Sequence, residues 1–114
     1  MATRIIRMVG TGFGTSGATL QDEDGNNFIQ PPAGIKWTIV EIRIGMSAAG
    51  FAHGFFDTEK YHSFRQALDF LAKGVPHTVT IDIQQPHQYS VTVFADTGTI
   101  DCDAEIVIEE SPAT

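Results

Sequence analysis

Within ten residues, His53, Asp57, Glu59 and His62 gather imidazoles and carboxylates of the kind that hold transition metals or move protons. Either task needs two or three of them to converge on one point. Their spacing fits no zinc signature, and the stretch runs from a strand into a turn, so they read as surface or turn residues. His77 and His87 each follow a proline and read as turn residues as well. Cys102 is the one thiol, so no intrachain disulfide forms. It alternates with Ile100 and Ala104 and sits between Asp101 and Asp103. A reactive thiolate needs an electropositive setting with a histidine beside it, so Cys102 reads as a small buried apolar residue. Gly12, Gly14 and Gly17 spell G-x-G-x-x-G, the turn that cradles a dinucleotide when a helix starts at it. Here only Ala18-Thr19-Leu20-Gln21 follows before an acidic turn, with no helical period. The glycines read as a flexible or bulged connection.

Asp22, Asp24 and Asn26 place oxygens at alternating positions, like the start of an EF-hand calcium loop. The likeness then fails. Asn27 stands where that loop needs its glycine, Ala33 where it needs the closing glutamate, and Pro31-Pro32 forbid the exiting helix. Calcium takes six to eight oxygens, more than these residues offer, so a solvated hairpin turn is expected. Near the end of the chain Asp101, Asp103, Glu105 and Glu109 share one face by the period-two rule. Like charges in a row repel, so this face should meet water or a basic partner. Arg4 or Arg7 would pair with it if the first and last strands are neighbours. Acid–base catalysis by a carboxylate pair would further need a cleft and shifted pKa values.

The elements that must position these residues are mostly strands. The clearest is Ile35–Met46. The rigid turn Pro31-Pro32-Ala33-Gly34 leads into it, Val40, Ile42, Ile44 and Met46 fall on one face, and Glu41 and Arg43 fall on the other. On that reading Trp37 and Ile39 share the outer face. Arg4 to Val9 makes a first strand. Ala18 to Gln21 and Asn27 to Gln30 make two short strands joined by Asp22–Asn26. Phe51 to Phe56 is a short apolar strand broken by Gly54. Ser63-Phe64-Arg65-Gln66 fits a capping box, and Tyr61, Phe64, Leu68 and Leu71 follow helical spacing, with Gly74 and Pro76 beyond. This predicts one helix from about 64 to 73. Val79 to Ile83, Tyr89 to Ala95 and Ile100 to Glu109 alternate again as strands, with Phe94 on the outer side. About eight strands, one short helix and no linker or repeat predict a single domain spanning 1–114. Its class is all-β: a jelly-roll-like antiparallel sandwich of two four-stranded sheets.

Composition narrows the function. A formal net charge of −7 argues against nucleic acid and anionic membranes, both of which select basic surfaces. The N-terminus carries no signal peptide, nothing approaches a membrane-spanning helix, and a protein made in the cytoplasm is expected. Cupins, jelly-roll metalloenzymes, carry two close histidines and a glutamate on one strand. That pattern is absent, and no enzyme activity or cofactor is expected.

Three stretches carry a resemblance: Pro32-Ala33-Gly34-Ile35-Lys36-Trp37-Thr38-Ile39, then Tyr89-Ser90-Val91-Thr92-Val93, then Thr97-Gly98-Thr99 before the acidic final strand. The region from Gln30 to Glu109 resembles small jelly-roll structural proteins of tailed phages and other viruses, including capsid decoration or cement proteins. The resemblance implies a virion component, often a homotrimer, that clamps neighbouring capsid subunits. The resemblance carries over no functional residues; from the layout of the chain itself, the interface residues to expect are Arg4 and Arg7 on the N-terminal arm, Trp37 and Phe94 on outer faces, and Asp101, Asp103 and Glu105 on the acidic strand. The rival expectation is a module that binds carbohydrate or another small ligand, with Trp37, Tyr61 or Tyr89 as its platform.

Overall fold

The computed structural model describes residues 2–66 and 76–113. Eight strands follow in order: β1 (Ala2–Phe13), β2 (Ala18–Thr19), β3 (Ile35–Met46), β4 (Gly50–Phe56), β5 (Glu59–Gln66), β6 (Pro76–Ile83), β7 (Tyr89–Ala95) and β8 (Ile100–Pro112). They form two antiparallel sheets of four, sheet A in the order β1-β8-β3-β6 and sheet B in the order β2-β7-β4-β5. First pairs with eighth, second with seventh, third with sixth and fourth with fifth. This is one long hairpin folded over on itself, and the β8–β3 and β7–β4 ladders close it into two sheets. The expected jelly roll is therefore the fold.

Alternation explains which face each strand buries. Tyr89, Val91, Val93 and Ala95 of β7 point inward, as do Ile100, Cys102, Ala104, Ile106 and Ile108 of β8. Between the sheets they meet Met8, Leu20, Ile42, Ile44, Met46, Ile81 and Ile83. The turn into β3 forms as its residues require. The Ile35 N–H donates to the Pro32 carbonyl at 3.2 Å, and Gly34 takes the positive φ of 83° that the third position of the turn demands.

Four expectations are corrected. The helix expected at 64–73 begins wrongly, because Phe64, Arg65 and Gln66 are the end of β5, paired with Ala52, Phe51 and Gly50 of β4. A ladder already started at the Asp57-Thr58 turn extends through them, and pairing overrides the local capping signal. The rest of that helix, 67–73, lies outside the described residues. Next, Trp37 and Ile39 are not on the outer face. Val40 is an extra residue in β3, and the registers against both β6 and β8 shift between Ile39 and Glu41. The bulge reverses the phase, so Trp37 and Ile39 are buried on the same side as Ile42 and Ile44. Third, Ala18–Gln21 and Asn27–Gln30 do not pair with each other. Ala18 and Thr19 pair with β7, Leu20 donates to Val91, and Ile29 bridges Tyr89. Residues 21–28 are an excursion between two contacts with the same neighbour. Finally, His77 is not in a turn but in β6, opposite Ile42.

Candidate interaction surface

Sheet A turns its outer face to solvent with β8 in the middle. Asp101, Glu105 and Glu109 lie half-buried on it, and Asp103 is the one buried charged residue among those described. The first and last strands are neighbours, as the pairing of Arg4 or Arg7 with the acids required, and Arg7 is the one that meets them. The Arg7 guanidinium grips the Asp103 carboxylate with two nitrogens, Nε at 3.1 Å from Oδ1 and Nη2 at 2.7 Å from Oδ2. The Asp103 bonds and charge raise the Arg7 pKa further above its ordinary value. On the other flank Arg43 donates to Glu41 at 2.8 Å and reaches Glu105 at 3.9 Å. Arg7, Glu105 and Arg43 stand directly opposite one another on three adjacent strands, a cross-strand row of alternating sign. Beside it Ile5, Val107 and Glu41 form the next row.

Arg4 faces the other way. It lies at the open end of the sandwich with Trp37 and Glu110. Trp37 Nε1 donates to Glu110 Oε1 at 2.9 Å, Arg4 Nε is 3.5 Å from the same oxygen, and the guanidinium sits 5.8 Å from the indole centroid. Thus the interface residues expected from the sequence divide into three groups: Arg7, Asp103 and Glu105 together on sheet A, Arg4 and Trp37 at its end, and Phe94 on the opposite sheet. Trp37, with 6% of its surface exposed, offers no flat platform to a sugar, and Tyr89 is wholly buried.

Phe94 does lie on the outer face of sheet B. Its ring stacks on Phe51 at 4.8 Å between centroids, and His53 meets both rings edge-on. β4 is built inside out: Gly50, Ala52 and Gly54 are buried while Phe51, His53 and Phe55 face outward. The sequence reading of a short apolar strand broken by Gly54 assigns no face to these residues; the small residues at every second position were the signal. Gly17 lies beneath Phe94, where a Cβ would fall 2.3 Å from the ring. Burial and the nearby Lys60 charge lower the His53 pKa.

Among the described residues the others able to do chemistry do not converge, and the side chain of His62 lies outside the description. Asp57, at a positive φ of 56°, binds His87 Nδ1 at 2.7 Å and accepts from the Gln88 N–H at 3.0 Å. These bonds hold its carboxyl below the usual carboxylate range, the His87 bond contributing most. They tie the β4–β5 turn to the β6–β7 turn. Among the described residues no three histidine, cysteine or acidic groups are arranged to hold a metal. Asp22 spends its carboxylate on its own turn, accepting from the N–H groups of Asp24 and Asn26 at 3.0 and 2.9 Å. Burial pushes the Cys102 thiol up to about 12, which keeps it protonated and unreactive. The glycine motif is followed by β2 and not by a helix, so it lacks the dipole end that binds a pyrophosphate. No helix among the described residues is long and apolar enough to cross a membrane. Compared with known proteins, the chain matches no family model, no curated protein and no solved structure.

Proposed function

We propose that this chain is a non-enzymatic structural protein of a virion, a capsid decoration or cement protein that binds and stabilises capsid subunits. The observation that carries the reading is the outer face of sheet A. Three long strands of 12 or 13 residues carry it. Its central strand presents Asp101, Glu105 and Glu109, while Arg7 and Arg43 are bound to carboxylates of the same face. A rigid, acidic, self-braced face suits docking on a basic protein surface, where complementary charge speeds encounter and sets orientation. The protein would be made in the host cytoplasm and act on the particle, without nucleic acid or membrane as partner. Co-sedimentation with capsid shells from the same genome tests this. Wild type should pellet with the shells, and Glu105→Lys with Glu109→Lys should abolish pelleting while the circular dichroism spectrum stays unchanged. Wild type remaining in the supernatant at low and physiological salt would refute it.

A further inference from the structure

The free edge of sheet A carries a second consequence. β1 has β8 on one side only. On the other side Val9 both donates to and accepts from Gln21, at 2.8 and 3.0 Å. Successive residues of a strand turn their backbone groups to opposite edges, so Thr3, Ile5 and Arg7 face the same open side as Val9. Gln21 does not continue along them. The chain turns back at Asp22, whose N–H bonds to the Asn26 carbonyl. Among the described residues, the N–H and C=O groups of Thr3, Ile5 and Arg7 therefore form an unpaired ladder that begins where the Gln21 bridge stops.

From Thr3 to Arg7 the edge has neither proline nor bulge, since the one irregularity of β1 lies beyond it, between Gly10 and Phe13. Proteins blunt such edges with proline, a short strand or outward charges. β1 is 12 residues long and contains no proline. Arg7, its one charge in the outer row, is folded back across the sheet onto Asp103. Ile5 is 55% exposed and Val9 38%, two of the three large apolar side chains that are exposed among the described residues. The opposite edge, β6, puts Thr78, Thr80 and Asp82 outward instead.

We propose that β1 is a self-association edge: two copies add their β1 strands antiparallel about a two-fold axis through Ile5. Outward-facing residues must meet outward-facing residues, and the Ile5 centre is the one that pairs all three. Ile5 then faces the partner's Ile5, Thr3 faces the partner's Arg7, and Arg4 lies beside the partner's Ile6. Charge favours the same arrangement. The chain up to Gln21 holds Arg4 and Arg7 and no acid, and Asp22, Glu23 and Asp24 follow at once. These three acids and Ile5, Ile6 and Arg7 line one cleft. Antiparallel addition slides each basic arm into the acidic cleft of the other copy. The two four-stranded sheets become one continuous sheet, and neither copy keeps this edge open. A two-fold pair closes at two copies, so it replaces the three-fold assembly expected from the resemblance. The inference concerns contact between copies and does not depend on the capsid reading.

The test combines mass with position-specific variants. Light scattering on the eluting wild-type protein should give a dimer. Ile5→Pro removes an N–H that faces the open edge and leaves every β1–β8 hydrogen bond intact, so it should give a folded monomer. Ile5→Cys, oxidised, should give a covalent dimer, because a hydrogen-bonded antiparallel pair sets Cα atoms about 5.5 Å apart, within reach of a disulfide. Thr3→Cys, which would face the partner's Arg7, should not crosslink, and the buried Cys102 does not compete. If Ile5→Pro fails to fold, the two cysteine variants decide. A wild-type monomer at the highest soluble concentration, a trimer, a dimer that survives Ile5→Pro, or equal crosslinking of both cysteine variants would each overturn the proposal.

Discussion

Sheet A is built from strands of 12, 13, 12 and 8 residues, sheet B from strands of 2, 7, 7 and 8. The side chains they bury differ in the same sense. Sheet A supplies most of the large inner residues, Ile39, Ile42, Ile44, Met46, Ile83, Ile106 and Ile108, whereas β4 of sheet B offers Gly50, Ala52 and Gly54. Large side chains of one layer fill the space left by small ones of the other, and the bulk of sheet B is worn outside as Phe51, Phe55 and Phe94. A sandwich need not divide its core equally. One sheet can provide the volume, which frees the outer face of the other for aromatic residues and its own outer face for charges.

This division can be tested by substitution. Ile106 sits at the centre of β8 with no exposed surface, and Ile106→Ala should lower stability by about 2–5 kcal/mol through lost transfer energy and the cavity left behind. Urea unfolding measures it, and an equal loss from Val93→Ala in sheet B would break the asymmetry. Gly50→Ala probes the small side of the same fit. A Cβ there would lie 2.6 Å from the Phe94 carbonyl oxygen and 2.8 Å from Ile100 Cδ1, so overpacking should cost about 1–3 kcal/mol in the same assay. Unchanged stability would show that sheet A does not press on β4. The smallest effect belongs to the end that joins the two hairpin turns. The folded-state pKa of Asp57 is lowered, so its contribution is full above the ordinary carboxylate pKa of about 3.9 and is lost as pH falls through the folded value. Asp57→Asn keeps a residue that tolerates positive φ, and its unfolding midpoint should fall less steeply than wild type below about pH 4. Parallel pH profiles would remove the proposed tie.

How much of this could be read beforehand depended on whether side-chain alternation ran unbroken. In β7 and β8 it did, and the alternation over Tyr89 to Ala95 and Ile100 to Glu109, with Phe94 and the acids on outer faces, is the one the structure shows. That Arg4 or Arg7 would pair with the acidic row was also legible, since it needed only first and last strands as neighbours; that Arg7 is the one was not. Elsewhere a local signal was outweighed by a remote one. Ser63 to Gln66 has the chemistry of a helix start, yet the β4–β5 turn had already set a ladder running through those residues. Ala18 to Gln30 has the look of a hairpin, yet β7 competes successfully for both of its arms. Trp37 was misassigned for want of a single residue, because a bulge changes which face is which and leaves no mark in composition. The acidic face was legible as a face, but the grouping of Arg4 with Trp37 and Glu110 required the sandwich's open end to be seen.

Val40 gives β3 something like a reading frame. Both ladders on either side of the strand slip at the same place, so the extra residue is shared by three strands and cannot be absorbed at one edge. Loss of one residue anywhere between Ile35 and Ile39, or gain of one, would shift every position back to the turn at Gly34, much as a frameshift alters everything on one side of it. A substitution in this strand leaves the frame intact, whereas a change of length keeps it only when a second, compensating change accompanies it.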